Sequence, residues 1–388
     1  MSTPRYIATL VLLVGVVPNI KSFSDESTSR AELGRRIEKF YSPPKEHAGE
    51  YGDYRSPLLF ANGQRVKSAE QWKTRRAEIL KTWHRRLGAW PPLVEKPAVK
   101  RLESVKRDDF MQHKVEIPIS SDGYMLHCYL LVPSGKGPFP AVVVPFYEPL
   151  TSIGLGKKGR GTHDYGLQLV KRGFVTLSIG TPSSLHSIGV DRSQLKLPPD
   201  KRKRPQPLTV LAYVAANCHT ILAQMPEVDA ERSGIIGLSY GGKWAMFASC
   251  LHEKFACAVW SDPGIVFNEK NPNVNYWEPW YLGHDPTTRR KPGVPSDKNP
   301  RTGLYKELVE ANEDLIELHA LMAPRPVLVS GGTEDPPANW RALNHLIEVN
   351  RLLGYEKRVA MTARSGHIPT AEALELELNF LEYWLKRK

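Results

Sequence analysis

Short, almost wholly apolar runs recur along the second half of the chain, at 141–145, 174–179, 234–236, 256–261 and 326–330, with a last at 358–362. Each is too short for a helix, and unbroken hydrophobicity is what a strand buried on both faces requires. Helical periodicity fills the intervals, at 165–172, 211–225, 243–252 and 371–386. Strands alternating with helices predict an α/β fold: a mostly parallel central sheet covered on both faces.

Upstream the pattern changes. Residues 114–119 and 126–132 alternate around Ser121-Asp122-Gly123, which predicts a hairpin leading into the sheet. The polar, Trp- and Pro-rich stretch 27–107 holds one clear helical segment, 68–87, whose Trp72, Ala77, Ile79, Leu80 and Trp83 share a face. Two segments rich in proline and charge, 181–207 and 264–306, interrupt the alternation. Long loops in a compact domain tend to be functional, and these leave the carboxyl ends of strands, so a substrate cleft is expected between them.

At the start, Arg5 precedes an apolar run at 6–17, the basic and hydrophobic regions of a secretory signal. Twelve residues fall short of the roughly 20 that span a bilayer as a helix. The expectation is a signal peptide over 1–22, a secreted or periplasmic product and no stable membrane span, with a retained anchor as the alternative.

A chain of 388 residues, 41% of them hydrophobic, can bury a full core. Its formal charge of +12 raises the question of nucleic acid, but the basic residues are mostly scattered among 41 acidic ones and no nucleic-acid-binding motif accompanies them. No nucleic-acid partner is expected. The densest basic run, Lys201-Arg202-Lys203-Arg204, lies among prolines and reads as a solvated loop or as a rim attracting an acidic polymer. Cys128, Cys218, Cys250 and Cys257 form no metal pattern; buried thiols are expected, with a Cys250 to Cys257 disulfide as the alternative after export.

The chemistry is carried by Gly237-Leu238-Ser239-Tyr240-Gly241, a GxSxG motif between the run at 234–236 and the helix that follows. A serine at such a turn is lifted out of the sheet as a nucleophile, and the glycines leave room for the sharp bend. Its hydroxyl needs a base and a carboxylate to orient that base, in the chain order serine, acid, histidine. Ser239, Asp335 and His367 supply that order, each just beyond an apolar run. Asp262 and Glu334 compete with Asp335 for the acid. Oxyanion donors are expected from the backbone of Tyr240 and from Phe146 or Tyr147 in the loop after 144. Lys243, four residues beyond the serine, reads as an ion-paired or solvated cation or as a substrate contact. Tyr276, Trp277, Trp280 and Tyr281 could stack on sugar rings or pack their loop, with Trp277 and Trp280 taken forward as substrate-binding candidates. No metal or organic cofactor is implied.

Over roughly 110–388 the chain resembles serine esterases of the α/β-hydrolase superfamily, within it the dienelactone-hydrolase and acetyl-xylan-esterase-like group. It is also similar to the bacterial glucuronoyl esterases of carbohydrate esterase family fifteen, through Asp53-Tyr54-Arg55-Ser56-Pro57, Ser68-Ala69-Glu70-Gln71-Trp72, Arg75-Arg76, Lys243 and Asp262. The second resemblance implies that Lys243 contacts the sugar and that the acid can follow either of two strands, making Asp262 the rival of Asp335. Those enzymes carry arginine directly after the serine, where this chain has Tyr240. The resemblance implies a hydrolase domain over 109–388 with an extension, 23–108, packed on it. The expected activity is cleavage of acetyl or glucuronoyl esters of polysaccharides through an acyl-enzyme. A prolyl-oligopeptidase-like peptidase and a non-catalytic carbohydrate-binding protein are the alternatives.

Overall fold

A computed structural model of the protein describes residues 29–120, 124–156, 161–181 and 205–386. The run 6–17 read as a secretory signal, the turn expected at 121–123, the basic run 201–204 and most of the segment 181–207 expected to be a loop lie outside these residues.

Among the described residues nine strands form one sheet: β1 Lys100–Arg107, β2 Phe110–Pro118, β3 Met125–Pro133, β4 Phe139–Pro145, β5 Val175–Ile179, β6 Val228–Leu238, β7 Cys257–Ser261, β8 Val327–Gly331 and β9 Val359–Ala363. Their spatial order is β1-β2-β3-β5-β4-β6-β7-β8-β9. β1 to β3 pair antiparallel, β3 meets β5 antiparallel, and every later pairing is parallel. The helices are α1 Arg30–Ile37, α2 Ala69–Leu87, α3 Pro149–Ser152, α4 Tyr165–Lys171, α5 Pro207–Ala223, α6 Tyr240–Leu251, α7 Gly303–Glu310, α8 Ile316–Ala320, α9 Trp340–Leu352 and α10 Ala371–Leu385.

The alternation predicted from the apolar runs is present, and β4 explains why those runs are continuous. Ala141 and Val143 pack with α5 and α6 on one face, Val142 and Val144 with α4 and α10 on the other. Both faces are dry, so no position is left for a polar residue.

Three departures from the sequence reading have physical causes. β1 falls within the stretch assigned to the extension; it is exposed along most of its length, so no buried face imposes an apolar period. β6 begins at Val228, within the segment read as a polar connector, because its first residues lie at the sheet rim before its pairing with β7 starts at Gly234. α5 begins four residues before its predicted start, at Pro207, since proline suits the first helical turn, where its missing N–H is not needed.

α5 is buried around nearly its whole circumference. One flank meets the sheet and α6, and the segment after α2 covers another. Trp90 Nε1 donates to Thr209 Oγ1 at 2.8 Å, and the Val94 amide donates to Asn217 Oδ1 at 2.8 Å. α2 itself starts on Ser68, whose Oγ accepts the Gln71 amide while Gln71 Oε1 accepts the Lys67 amide, a capping arrangement. Its Trp72, Ile79, Trp83 and Leu87 belong to the same core cluster as α5 and α6. All four cysteines are buried thiols. Among the described residues no helix is long and apolar enough to cross a membrane.

The side chain of Trp83 is 1% exposed within that core. Trp83→Ala is expected to cost about 3–5 kcal/mol in urea unfolding monitored by circular dichroism, the range for emptying a buried aromatic site. A loss below about 1 kcal/mol, the scale of an exposed substitution, would mean that α2 is not part of the cooperative core.

Candidate active site

Four adjacent parallel strands end side by side, and each is followed by a chemically active side chain: Ser239 after β6, Asp262 after β7, Glu334 after β8 and His367 after β9. Parallel pairing turns sequence positions more than a hundred residues apart into neighbours at one edge of the sheet.

Ser239 has φ 58° and ψ −113°, a strained conformation for a residue with a side chain. Its amide donates to Ser261 O at 2.8 Å, and its carbonyl accepts the Lys243 amide at 2.9 Å, so strand pairing passes directly into the first turn of α6. The motif glycines are required by contact: a Cβ on Gly237 would lie 2.2 Å from Gly241 O, and one on Gly241 2.3 Å from Pro145 O.

His367 Nδ1 lies 2.7 Å from Asp262 Oδ2 and 3.2 Å from Glu334 Oε1. Two carboxylates at Nδ1 keep the proton on that nitrogen and leave Nε2 as the basic one. Asp262 is fully buried, and its Oδ1 accepts the amides of Gly332 at 2.6 Å, Asp335 at 2.9 Å and Glu334 at 3.1 Å. Gly332 is needed for this approach, since a Cβ there would stand 2.6 Å from Asp262 Oδ2. Glu334 is steadied by Thr333 Oγ1 at 3.0 Å and Asn271 Nδ2 at 3.2 Å.

Asp335, the acid favoured by chain order, is not brought to His367. Its carboxylate accepts the amides of Ile265 at 2.6 Å and Gly264 at 2.7 Å, and Asn339 Nδ2 at 2.9 Å. Burial pushes its carboxyl up to about 6, helped by the charge of Asp262 and opposed by those donors. The two competitors named from sequence are the acids at the imidazole.

Lys243 is neither solvated nor offered to a ligand. It is 2% exposed, and its Nζ donates to Pro263 O at 2.6 Å, lying 5.0 Å from the Tyr276 ring centre and 5.5 Å from that of Tyr281. Burial pulls its pKa down to about 8, while Asp335, Glu334 and Asp262 pull it back up. Trp277 is also enclosed, 1% exposed and packed on Tyr305, so it builds the loop core; Trp280 is half-buried. The Phe146 amide is committed to Ile179 O at 3.0 Å, which removes it as an oxyanion donor. Tyr147 stands at the rim, 36% exposed, with its ring 5.2 Å from that of the buried Tyr240.

Beneath the histidine lies a group with no motif to announce it. Arg364 donates to His367 O at 2.6 Å, Gly366 O at 3.1 Å, Ser330 O at 2.8 Å and Ser261 Oγ at 3.3 Å. Glu377 of α10, fully buried, lies 3.8 Å from it. One guanidinium thus joins the ends of β7 and β8 to the loop bearing His367.

A central sheet of this order, with the elbow after β6 and the histidine after the last strand, defines an α/β-hydrolase fold. No protein-family model and no curated protein sequence matches the chain. Solved structures do. A glucuronoyl esterase from Solibacter usitatus superposes with a TM-score of 0.70 at 18% identity, covering 86% of this chain and 98% of that one. An esterase of carbohydrate esterase family 15 from a marine bacterial metagenome gives 0.66 at 16% identity, over 85% and 96%. A glucuronoyl esterase of the same family from Teredinibacter turnerae gives 0.62 at 18% identity, over 91% and 98%. At these identities the likeness is one of fold.

The raised carboxyl of Asp335 has a consequence for stability. Its folded pKa of about 6 exceeds the ordinary 3.8, so between those values the folded state holds a proton that the unfolded chain has lost. Its contribution is full below the lower value and declines as pH rises through the upper. Relative to Asp335→Asn, the wild type should lose on the order of 3 kcal/mol between about pH 4 and pH 7, read from urea midpoints. A difference independent of pH would contradict a protonated, buried Asp335.

Proposed function

We propose that the protein is a serine hydrolase that cleaves carboxylic esters of carbohydrates through an acyl-enzyme. The observation that carries the reading is the strained Ser239 elbow, set at the same edge of the sheet as a His367 imidazole whose Nδ1 faces two carboxylates. The esterases that share the fold support the choice of ester over other acyl bonds.

In this mechanism Ser239 Oγ attacks the ester carbonyl as His367 Nε2 takes its proton. The imidazolium that forms is stabilised at Nδ1 by Asp262 and Glu334. We assign the oxyanion contacts to the backbone amides of Tyr240 and Tyr147, a well-aimed donor being worth about 3–4 kcal/mol. Collapse expels the alcohol, protonated by His367; water, deprotonated by the same nitrogen, then attacks the acyl-enzyme and releases the acid. Tyr147, together with Ile368 at 60% exposure, gives the mouth an apolar rim beside the reacting groups. The half-buried Trp280 remains the aromatic candidate for sugar contact.

A fluorophosphonate probe should label the wild type and fail on Ser239→Ala, with the two proteins melting at the same temperature. Turnover of acetylated xylan, a glucuronate methyl ester and a nitrophenyl acetate then identifies the acyl group. Asp262→Asn should lower kcat by about 10³–10⁴, as expected when the imidazole loses its orienting acid. Glu334→Gln should cost about tenfold, since the nearer acid, Asp262 at 2.7 Å against 3.2 Å for Glu334, remains, and Asp335→Asn less still. Full turnover by Ser239→Ala, or a larger loss at Asp335 than at Asp262, would sink the assignment.

A further inference from the structure

The reacting groups occupy only the carboxyl edge of the parallel strands. At the opposite edge, near the amino ends of β6 to β9, a cavity of about 770 Å³ opens. His219 lines it from the last turns of α5, and His252 from the end of α6; Lys254, Arg325 and Arg358 complete its basic wall.

Three nitrogens of this lining, His219 Nε2, His252 Nε2 and Arg358 Nε, are buried without a hydrogen-bond partner. Buried polar groups are normally paired, and an orphan costs roughly 1–3 kcal/mol. The two imidazoles meet edge to face, 5.1 Å between centroids, and His219 is only 5% exposed. Arg358 is stacked on Trp384 at 4.5 Å and Tyr355 at 4.9 Å, which fixes its plane and leaves Nε unpaired.

The lining carries more positive than negative charge. Lys254, Arg325 and Arg358 face Glu231 and Glu253 across the lining, and Glu253 is turned to Arg76 at 3.2 Å. Arg325 spends its donors on the carbonyls of Leu321, Phe255 and His252, and Glu253 is the lining acid whose charge acts on it. Both histidines of the lining are held neutral, chiefly by burial. Burial lowers His219 to about 4, with the charge of Lys254 adding to the fall and a backbone bond to Lys254 opposing it. Burial lowers His252 to about 3, helped by His219, Arg325 and Lys254. A cation would be repelled here, and a neutral sugar would leave the charge unbalanced.

We infer that this cavity binds a small anionic molecule of sugar size, its carboxylate or phosphate held by Arg358 and Lys254 and closed over by His219 and His252. The volume is that of an ordinary small-molecule site. The site stands independently of the reading of Ser239, since it lies at the other edge of the sheet.

Titration calorimetry of the full chain with glucuronate, glucose 6-phosphate and glucose tests this. Either or both anionic sugars should bind and glucose should not, and the tighter of the two identifies the anionic group. Arg358→Gln, and independently the exposed Lys254→Gln, should each weaken binding by about tenfold, the scale of one charge-assisted contact. Ester turnover and melting temperature should be unchanged in Lys254→Gln. Equal binding of glucose, no heat with any of the three, or anion affinity untouched by both variants would overturn the inference; the last would place the anion in the Ser239 cleft instead.

Discussion

The carboxylate of Asp262 is the point on which the site is built. With φ 47° the residue turns back under the ends of the strands, its amide held by Ser330 O at 3.0 Å. One oxygen gathers the amides of Gly332, Glu334 and Asp335, and the other meets His367. Asp335 answers in the opposite direction, holding Gly264 and Ile265. An acid from the β7 loop thus binds amides of the β8 loop, and an acid from the β8 loop binds amides of the β7 loop. Charge-assisted bonds of this kind are worth about 1.5–3 kcal/mol each. Together they make the two loops one rigid body, with Glu334 carried toward the imidazole as part of it.

That cross-brace rests on a second buried layer. Removing two charges from water usually costs more than their attraction returns. The pair of Arg364 and Glu377, 5% and 0% exposed at their side chains, is therefore poorly explained as a source of stability. Its geometry explains it better. A guanidinium is planar and carries five donors, so one side chain can hold the carbonyls of Gly366 and His367 and the end of β8 in fixed relation. Lysine, a point charge on a flexible stem, could not make that set.

The fold was largely legible because its elements announce themselves by pattern: continuous apolar runs for strands buried on two faces, and periodic stretches between them. What escaped lacks a pattern. β1 is exposed, and α1 and α7, eight residues each, sit in the polar stretch and the long loop. The site was legible where chemistry and position coincide. Gly237, Ser239 and Gly241 are dictated by the turn itself. The acid was not so constrained, since Asp262, Glu334 and Asp335 all follow strands, and sequence carries no record of which way a carboxylate points. Asp335 turns toward β7 because the amides of Gly264 and Ile265 lie there; Glu334, one residue earlier, turns the other way. Arg364 has no motif, and only its proximity to His367 could have drawn attention to it.

The buried charge also bears on position 240, where this elbow departs from the esterases it resembles, and on position 243, where it is similar to them. Asp262, Glu334 and Asp335 are all buried, and Lys243 is the buried cation that acts on all three. An ammonium bonded to Pro263 O and enclosed by two tyrosine rings offsets part of that charge from within the protein. It is then not free to meet a ligand. Tyr240 is enclosed as well, its ring 5.2 Å from Tyr147, 5.7 Å from Tyr281 and 6.2 Å from Trp244. An arginine in that packed aromatic setting would bring a second cation into a space without a partner for it. The aromatic residue at 240 and the enclosed lysine at 243 are thus one solution, in which positive charge is kept under the floor of the cleft.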